Sequence, residues 1–212
     1  GAAHADGAWS VLRGADALVV PGGFGERGVE GKIRAIRYAR EHLTPFLGIC
    51  LGFQLAVVEF ARNVVGWSGA HSTEFDTSTP HPVVVEIPEV STTVLGGTMR
   101  RGTHRIVLCP TNNDSRTARL YGGATEVHER HRHRYEVNPL TAEALQEERH
   151  GLEFVGRSSP GGTGGRRMEV LELTGHPYFV ASQFHPEFTS RPTKPSPLFH
   201  GLMLAASAQP LP

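Results

Sequence analysis

Five residues, Gly48-Ile49-Cys50-Leu51-Gly52, narrow the folds open to this chain more than any others do. They join a short apolar run, Pro45 to Ile49, to a longer one, Leu51 to Val65. The first run has the length of a buried strand. The second is apolar almost all round, with one polar stripe at Glu59, Arg62 and Asn63, as a helix buried against a sheet requires. A strand entering a helix through small-x-nucleophile-x-small has the form of a nucleophile elbow, here with cysteine in the serine position. The side chain on such a turn has strained backbone angles and close neighbours, so glycine flanks it. The turn lifts the sulfur to a helix N-terminus, where free N–H groups and the helix dipole are expected to favour thiolate. The other reading of the five residues alone is a buried structural cysteine beside a tight turn.

The surrounding pattern favours an α/β fold. Ala17 to Val20 is a short apolar run stopped by Pro21-Gly22-Gly23, and Val29, Ile33, Ile36 and Leu43 recur at helical spacing opposite Arg34, Arg37, Arg40 and Glu41. Strand, helix, strand, helix in the first third implies parallel strands. The first dozen residues, small and polar, read as a loose lead-in. Further on, Pro82 to Ile87 reads as a strand, Leu95 to Gly102 as a loop, and Asn138-Pro139 as a helix start with its stop at Gly151. Leu152 to Val155, Met168 to Leu173 and Tyr178 to Phe184 read as late strands, the first two joined by the glycine-rich loop Pro160 to Gly165. A last helix is expected around Leu198 to Ala206.

Composition removes several classes of function. Lys plus Arg and Asp plus Glu both number 21 among the 212 residues, so the formal net charge is zero. Nucleic acid is held mainly by phosphate neutralisation, so a nucleic-acid partner is not expected. No apolar run approaches the roughly 20 residues that span a bilayer, and no membrane partner is expected. With two cysteines, Cys50 and Cys109, a disulfide scaffold is not expected either, and a reducing, cytoplasmic setting fits better. Cys109, in an apolar run, reads as a small core residue.

A thiolate that attacks an amide needs a general acid for the departing nitrogen and a group to orient it. His185-Pro186-Glu187, directly after an apolar strand, offers both, since residues two apart in extended chain point to the same side. The cluster His128, Arg130, His131, Arg132, His133 and Arg134 invites a metal or nucleic-acid reading. It lacks the cysteines of structural zinc and the interleaved aromatics of a nucleic-acid patch, and no metal is expected. On a strand its histidines are expected on one face and its arginines on the other.

An early strand ending in cysteine and a late one ending in His-x-Glu is the order of the class I glutamine amidotransferases. The segments PGGFGERGVEGKI, GICLGFQLAVVEFAR, STEFD, LGGTMRRG, ERHRHRYEVN and QFHPEFTSRPTKPSP further resemble the C-terminal glutaminase domain of the CTP synthase family. The likeness runs in order from about Asp16 to the final helix. It implies a central, mostly parallel sheet flanked by helices, spanning residues 1–212, and a module incomplete at its N-terminus and therefore poorly stable alone. It implies L-glutamine as substrate, with Cys50 as nucleophile, His185 as proton shuttle and Glu187 as the residue that holds it. Backbone N–H groups at Gly23 and Leu51 would form the oxyanion hole, and Gln54 with the adjoining Leu51, Gly52 and Phe53 matches glutamine-binding positions. Phe53 stands where methionine is usual. Glu74 matches the acceptor for the substrate amino group, and Arg134 the residue near its α-carboxylate, where a planar guanidinium suits bidentate binding.

The same resemblance implies a separate synthase domain that receives the ammonia and aminates UTP with ATP and Mg. It also implies GTP activation involving Leu95 to Arg101, where Arg101 stands in place of a common leucine, and a homo-tetramer. No G-x-x-x-x-G-K-[ST] loop occurs, so this chain itself is expected to need no cofactor. The rival readings are a stand-alone cysteine amidase or peptidase on a related fold and a non-catalytic regulatory or assembly remnant.

Overall fold

A computed structural model describes residues 2–87, 99–108, 115–147, 150–158 and 167–212. The chain opens with helix α1 (Ala2–Arg13), strand β1 (Leu18–Val20), helix α2 (Val29–Glu41) and strand β2 (Phe46–Ile49). Helix α3 (Leu51–Phe60) starts directly after Cys50 and runs into a π-helical turn over Ala61–Val65. Strands β3 (His71–Ser72), β4 (Pro82–Glu86) and β5 (Arg100–Leu108) precede helix α4 (Arg116–Leu120). Strands β6 (Glu126–His133) and β7 (Tyr135–Val137) then lead to helix α5 (Pro139–Leu145). The chain ends with β8 (Leu152–Ser158), β9 (Arg167–Leu173), β10 (Phe179–Ser182) and helix α6 (Pro197–Ala206).

Seven strands form one sheet in the order β1-β2-β10-β9-β8-β5-β6, and β3-β4-β7 form a second. In the large sheet the expected parallel character is confined to β1, β2 and β10; every pairing from β10 outward to β6 is antiparallel, so that sheet is mixed. In the small sheet β3 and β4 pair parallel while β4 and β7 pair antiparallel. The parallel part of the large sheet is where the early strand–helix alternation lies. In the rest of the large sheet, strands follow one another with few helices between them and pair antiparallel.

Phe46 and Leu47 of β2 have no exposed surface and point to opposite faces of the sheet. Phe46 joins the core beneath α2, α3 and α5, with Ile36, Phe53, Leu145 and Phe179. Leu47 joins a second core with Val180, Tyr178, Leu198 and Leu202, beneath α6. All ten residues of α3 are buried, because this helix lies between the large sheet and the small one. No helix among the described residues is long and apolar enough to cross a membrane.

Four expectations need correction. The lead-in is helix α1: its small residues are largely alanines, the best helix formers, and Trp9 packs edge-on against Tyr38 at 6.1 Å. Residues 100–102, expected within a loop, begin β5, whose Gly102 sits at positive φ opposite His131. Helix α5 ends at Leu145 rather than near Gly151, where Gln146 turns to accept the Phe154 N–H at 2.9 Å. On β6 the alternation buries Glu129, His131 and His133 but leaves His128 outside with Arg130 and Arg132, because its number has the parity of the arginines. Cys109, residues 95–98 and the loop at 160–165 lie outside the described residues.

Candidate active site

Cys50 occupies the turn between β2 and α3 at φ 51° and ψ −98°, a left-handed conformation costly for a residue with a Cβ. Its N–H donates to the Ser182 carbonyl at 2.7 Å, and its own carbonyl accepts from Gln54 N–H at 3.1 Å. The flanking glycines are required by contact. A Cβ on Gly48 would stand 2.8 Å from the Gly52 carbonyl oxygen, and one on Gly52 only 2.0 Å from that of Val20.

His185 follows β10. Its backbone N–H donates to the Arg130 carbonyl on β6 at 2.8 Å, and its ring stacks on Phe188 with centroids 4.6 Å apart. Its Nδ1 lies 2.6 Å from Glu187 Oε1. Pro186–Phe188 is a 3-10 turn rather than the extended chain expected from spacing, so the turn brings the two side chains together. With a carboxylate as its partner, Nδ1 carries the proton. That leaves Nε2 as the basic lone pair, buried and without a partner among the described residues. Gly22 abuts both this ring and the nucleophile: a Cβ there would meet His185 Cε1 at 2.8 Å and Cys50 Cβ at 3.5 Å.

The thiol does not behave as the sequence suggested. Burial pushes it up to about 12, and the carboxylates of Glu187 and Glu74 add to that effect. The Leu51 N–H and the Gln183 side chain pull the other way without overcoming burial. The helix N-terminus is present, but desolvation outweighs it. Cys50 therefore rests as a thiol, and an adjacent base must take its proton during reaction.

Cys50, Gly23, Gln54, Glu74 and Arg134 line one cleft of about 190 Å³. Drug-sized ligands occupy pockets from roughly 300 Å³ upward, so this one suits a smaller molecule. Burial raises the Glu74 carboxyl, although the Gly25 N–H and Arg134 oppose the shift. Leu51 contributes its backbone N–H at the sulfur, while its side chain packs near Gly23. Gly52 and Phe53 do not line the cleft: the glycine lies against Val20, and Phe53 is fully buried edge-on to Phe154 at 6.3 Å. Successive helix positions turn by about 100°, so of Leu51 to Gln54 one side chain reaches the cleft.

Phe24, Glu86, His133 and Tyr135 complete the walls; sequence reasoning noted His133 only within the His/Arg cluster and missed the other three. Phe24 and Tyr135 adjoin residues already singled out. Glu86 has no local signal; it arrives through the antiparallel register that sets it opposite Tyr135. Among the described residues, no group of three or more His, Cys, Asp or Glu is placed to hold a metal ion.

Comparison with known proteins gives this geometry a lineage. The family described as glutamine amidotransferase class-I matches residues 4–205. CTP synthase 1 of Homo sapiens is 55% identical over 199 residues, which cover 94% of this chain and 32% of that protein. CTP synthase of Methanopyrus kandleri is 57% identical over 203 residues, 95% of this chain and 36% of that protein. The chain thus spans about a third of the length of these curated relatives. The glutaminase domain of Trypanosoma brucei CTPS, solved with bound acivicin, superposes with a TM-score of 0.88 at 40% identity, covering 98% of this chain and 78% of that one. With its cysteine elbow, its His–Glu pair and these likenesses, the chain belongs to the class I glutamine amidotransferases, and within them to the glutaminase domains of CTP synthases.

Proposed function

We propose that the chain hydrolyses L-glutamine to glutamate and ammonia, with Cys50, His185 and Glu187 as the catalytic residues. The observation that carries the reading is the unpartnered Nε2 of His185, whose ring is held by Glu187 and packs with Cys50 against the same glycine, Gly22, at a small cleft bearing Glu74 and Arg134. A carboxylate and a guanidinium suit the ammonium and carboxylate of a free amino acid. Gln54 spends both amide hydrogens on Tyr135 O and Gln183 Oε1, so its own oxygen is what it offers a substrate donor.

The Cys50 proton passes to His185 Nε2 as the sulfur attacks the side-chain carbonyl carbon of glutamine. The oxyanion accepts from the N–H groups of Gly23 and Leu51. His185 then returns the proton to the departing nitrogen, ammonia leaves, and a glutamyl thioester remains. Water, deprotonated by His185, attacks that thioester and releases glutamate and the thiol.

In the larger protein to which the relatives' names point, a synthase domain receives the ammonia and aminates UTP with ATP and Mg. GTP activates it, and the assembly is a cytoplasmic homo-tetramer. No residue of this chain is assigned to ATP or UTP. The small cleft disfavours a peptidase, and the presence of all three catalytic residues disfavours a non-catalytic remnant. Cys50→Ala should abolish ammonia release from glutamine, and acivicin should label Cys50 in the parent with protection by glutamine. Ammonia release persisting in Cys50→Ala would overturn the mechanism, and cleavage of peptides by the parent would favour the peptidase reading.

A further inference from the structure

Behind the nucleophile lies a group that the triad does not use. Gln183 follows β10 and is almost completely buried. Its backbone N–H is tied to the Glu169 carbonyl at 2.8 Å, and its Nε2 lies 3.7 Å from Cys50 Sγ. The two ends of a side-chain amide are ordinarily ambiguous. Here the hydrogen bonds decide them. The Tyr135 carbonyl can only accept, so it takes one hydrogen of Gln54 Nε2 at 2.8 Å. The second hydrogen of that group needs another acceptor, which is Gln183 Oε1 at 3.1 Å. The N–H end of Gln183 is thereby turned toward the sulfur.

We propose that Gln183 is a further residue of the reactive centre: its side-chain amide is the fixed donor that holds the Cys50 sulfur once the thiol proton has moved to His185. The thiol form has a different partner, the Arg132 carbonyl at 3.9 Å, which accepts from S–H and repels a thiolate. Loss of the proton therefore exchanges one hydrogen bond for another without moving the sulfur. Every charge facing it bears on this exchange. Glu187 and Glu74 oppose the thiolate, while His185, once it has taken the thiol proton, and Arg134 in the cleft favour it. Glu86 and His133 stand on the same cleft wall. On the far side of Gln183, Glu169 is ion-paired with Arg100 and hydrogen-bonded to His131. Among the described residues, Gln183 and the Leu51 N–H are the neutral donors at the sulfur.

The inference rests on the glutaminase reading for the reaction it serves but not for its test. In the full protein without glutamine, the rate of Cys50 alkylation by iodoacetamide is measured from pH 6 to 10, with Cys50→Ala as the blank for Cys109. A hydrogen bond to a charged group predicts a fall of about tenfold to a hundredfold in Gln183→Met throughout that range. The isosteric Gln183→Glu should lose at least as much wherever its carboxyl is ionised, and it carries the test if the methionine variant does not fold. The kcat for glutamine should fall in parallel, with KM within about twofold. Alkylation profiles that superimpose on the parent's, even with a lowered melting temperature, would reduce Gln183 to a packing residue and overturn the proposal. A parent inert toward glutamine whose alkylation still depends on Gln183 would instead sink the glutaminase reading and leave this one standing.

Discussion

Glu187 shows how much one contact can be asked to do. Its side chain is 40% exposed, yet it fixes which nitrogen of a nearly buried ring bears the proton. In Glu187→Gln an amide N–H facing Nδ1 would move that proton to Nε2 and remove the base. The corresponding change in serine proteases costs on the order of 10⁴ in kcat. Water reaches Glu187, so a smaller loss of about 10²-fold in kcat is expected, with KM for glutamine little changed. Steady-state ammonia release checks it, and wild-type kcat would remove Glu187 from the mechanism. The thiol makes a second prediction. Its folded value of about 12 lies above the ordinary 9, so the thiolate is scarce at neutral pH. Alkylation without substrate should climb about tenfold per pH unit from pH 7 to 10. A plateau below pH 9 would mean that the resting site already holds thiolate.

At the scale of elements, the elbow is a matter of backbone approaching backbone. A Cβ on Gly52 would fall 2.0 Å from the Val20 carbonyl oxygen, and no rotamer relieves a clash between main chains. Gly52→Ala should push β1 off α3 and cost several kcal/mol, or prevent folding. Gly31 is the control: it lies inside α2 with nothing within 4 Å of its Cβ position, so Gly31→Ala should stabilise by about 0.5–1 kcal/mol. Thermal melts of the two variants should move in opposite directions. The sequence made the elbow legible because its causes are local: a strand-length run, glycines at two fixed positions and an apolar helix. It hid what depends on distant pairing. Glu86 enters the cleft through its register with Tyr135, and Gln183 meets the sulfur only once β10 lies beside β2. The resting state of the thiol was misjudged for a related reason: the dipole of α3 can be read from order along the chain, whereas desolvation depends on everything packed around Cys50.

Across the whole molecule, buried charge makes stability depend on pH. Glu169, with no exposed surface, is held by Arg100 at 2.5 Å, by His131 at 2.9 Å and by the Ser158 hydroxyl, tying together β5, β6, β8 and β9. These partners lower its carboxyl against the pull of burial, so its contribution is complete above the ordinary carboxylate range and is lost in stronger acid. Glu129 and Glu136 are raised by burial and act in the opposite sense, relieving the native state as they protonate. His133 acts earlier than any of these on the way down from neutrality. Burial lowers it from 6.5 to about 3, so the folded state keeps it neutral while the unfolded chain takes up a proton. The unfolded state binds more protons below pH 6.5, and stability must fall as pH falls through that window. At pH 5 the loss from this one group is about 2 kcal/mol, on the rule of 1.36 kcal/mol per unit. His71, His104 and His176 are lowered for the same reason and add to the slope. The melting temperature should therefore drop between pH 7 and pH 5, and His133→Gln, which has no proton to gain, should flatten that drop without abolishing it. An unchanged slope in His133→Gln would show that His133 is not kept neutral by the fold.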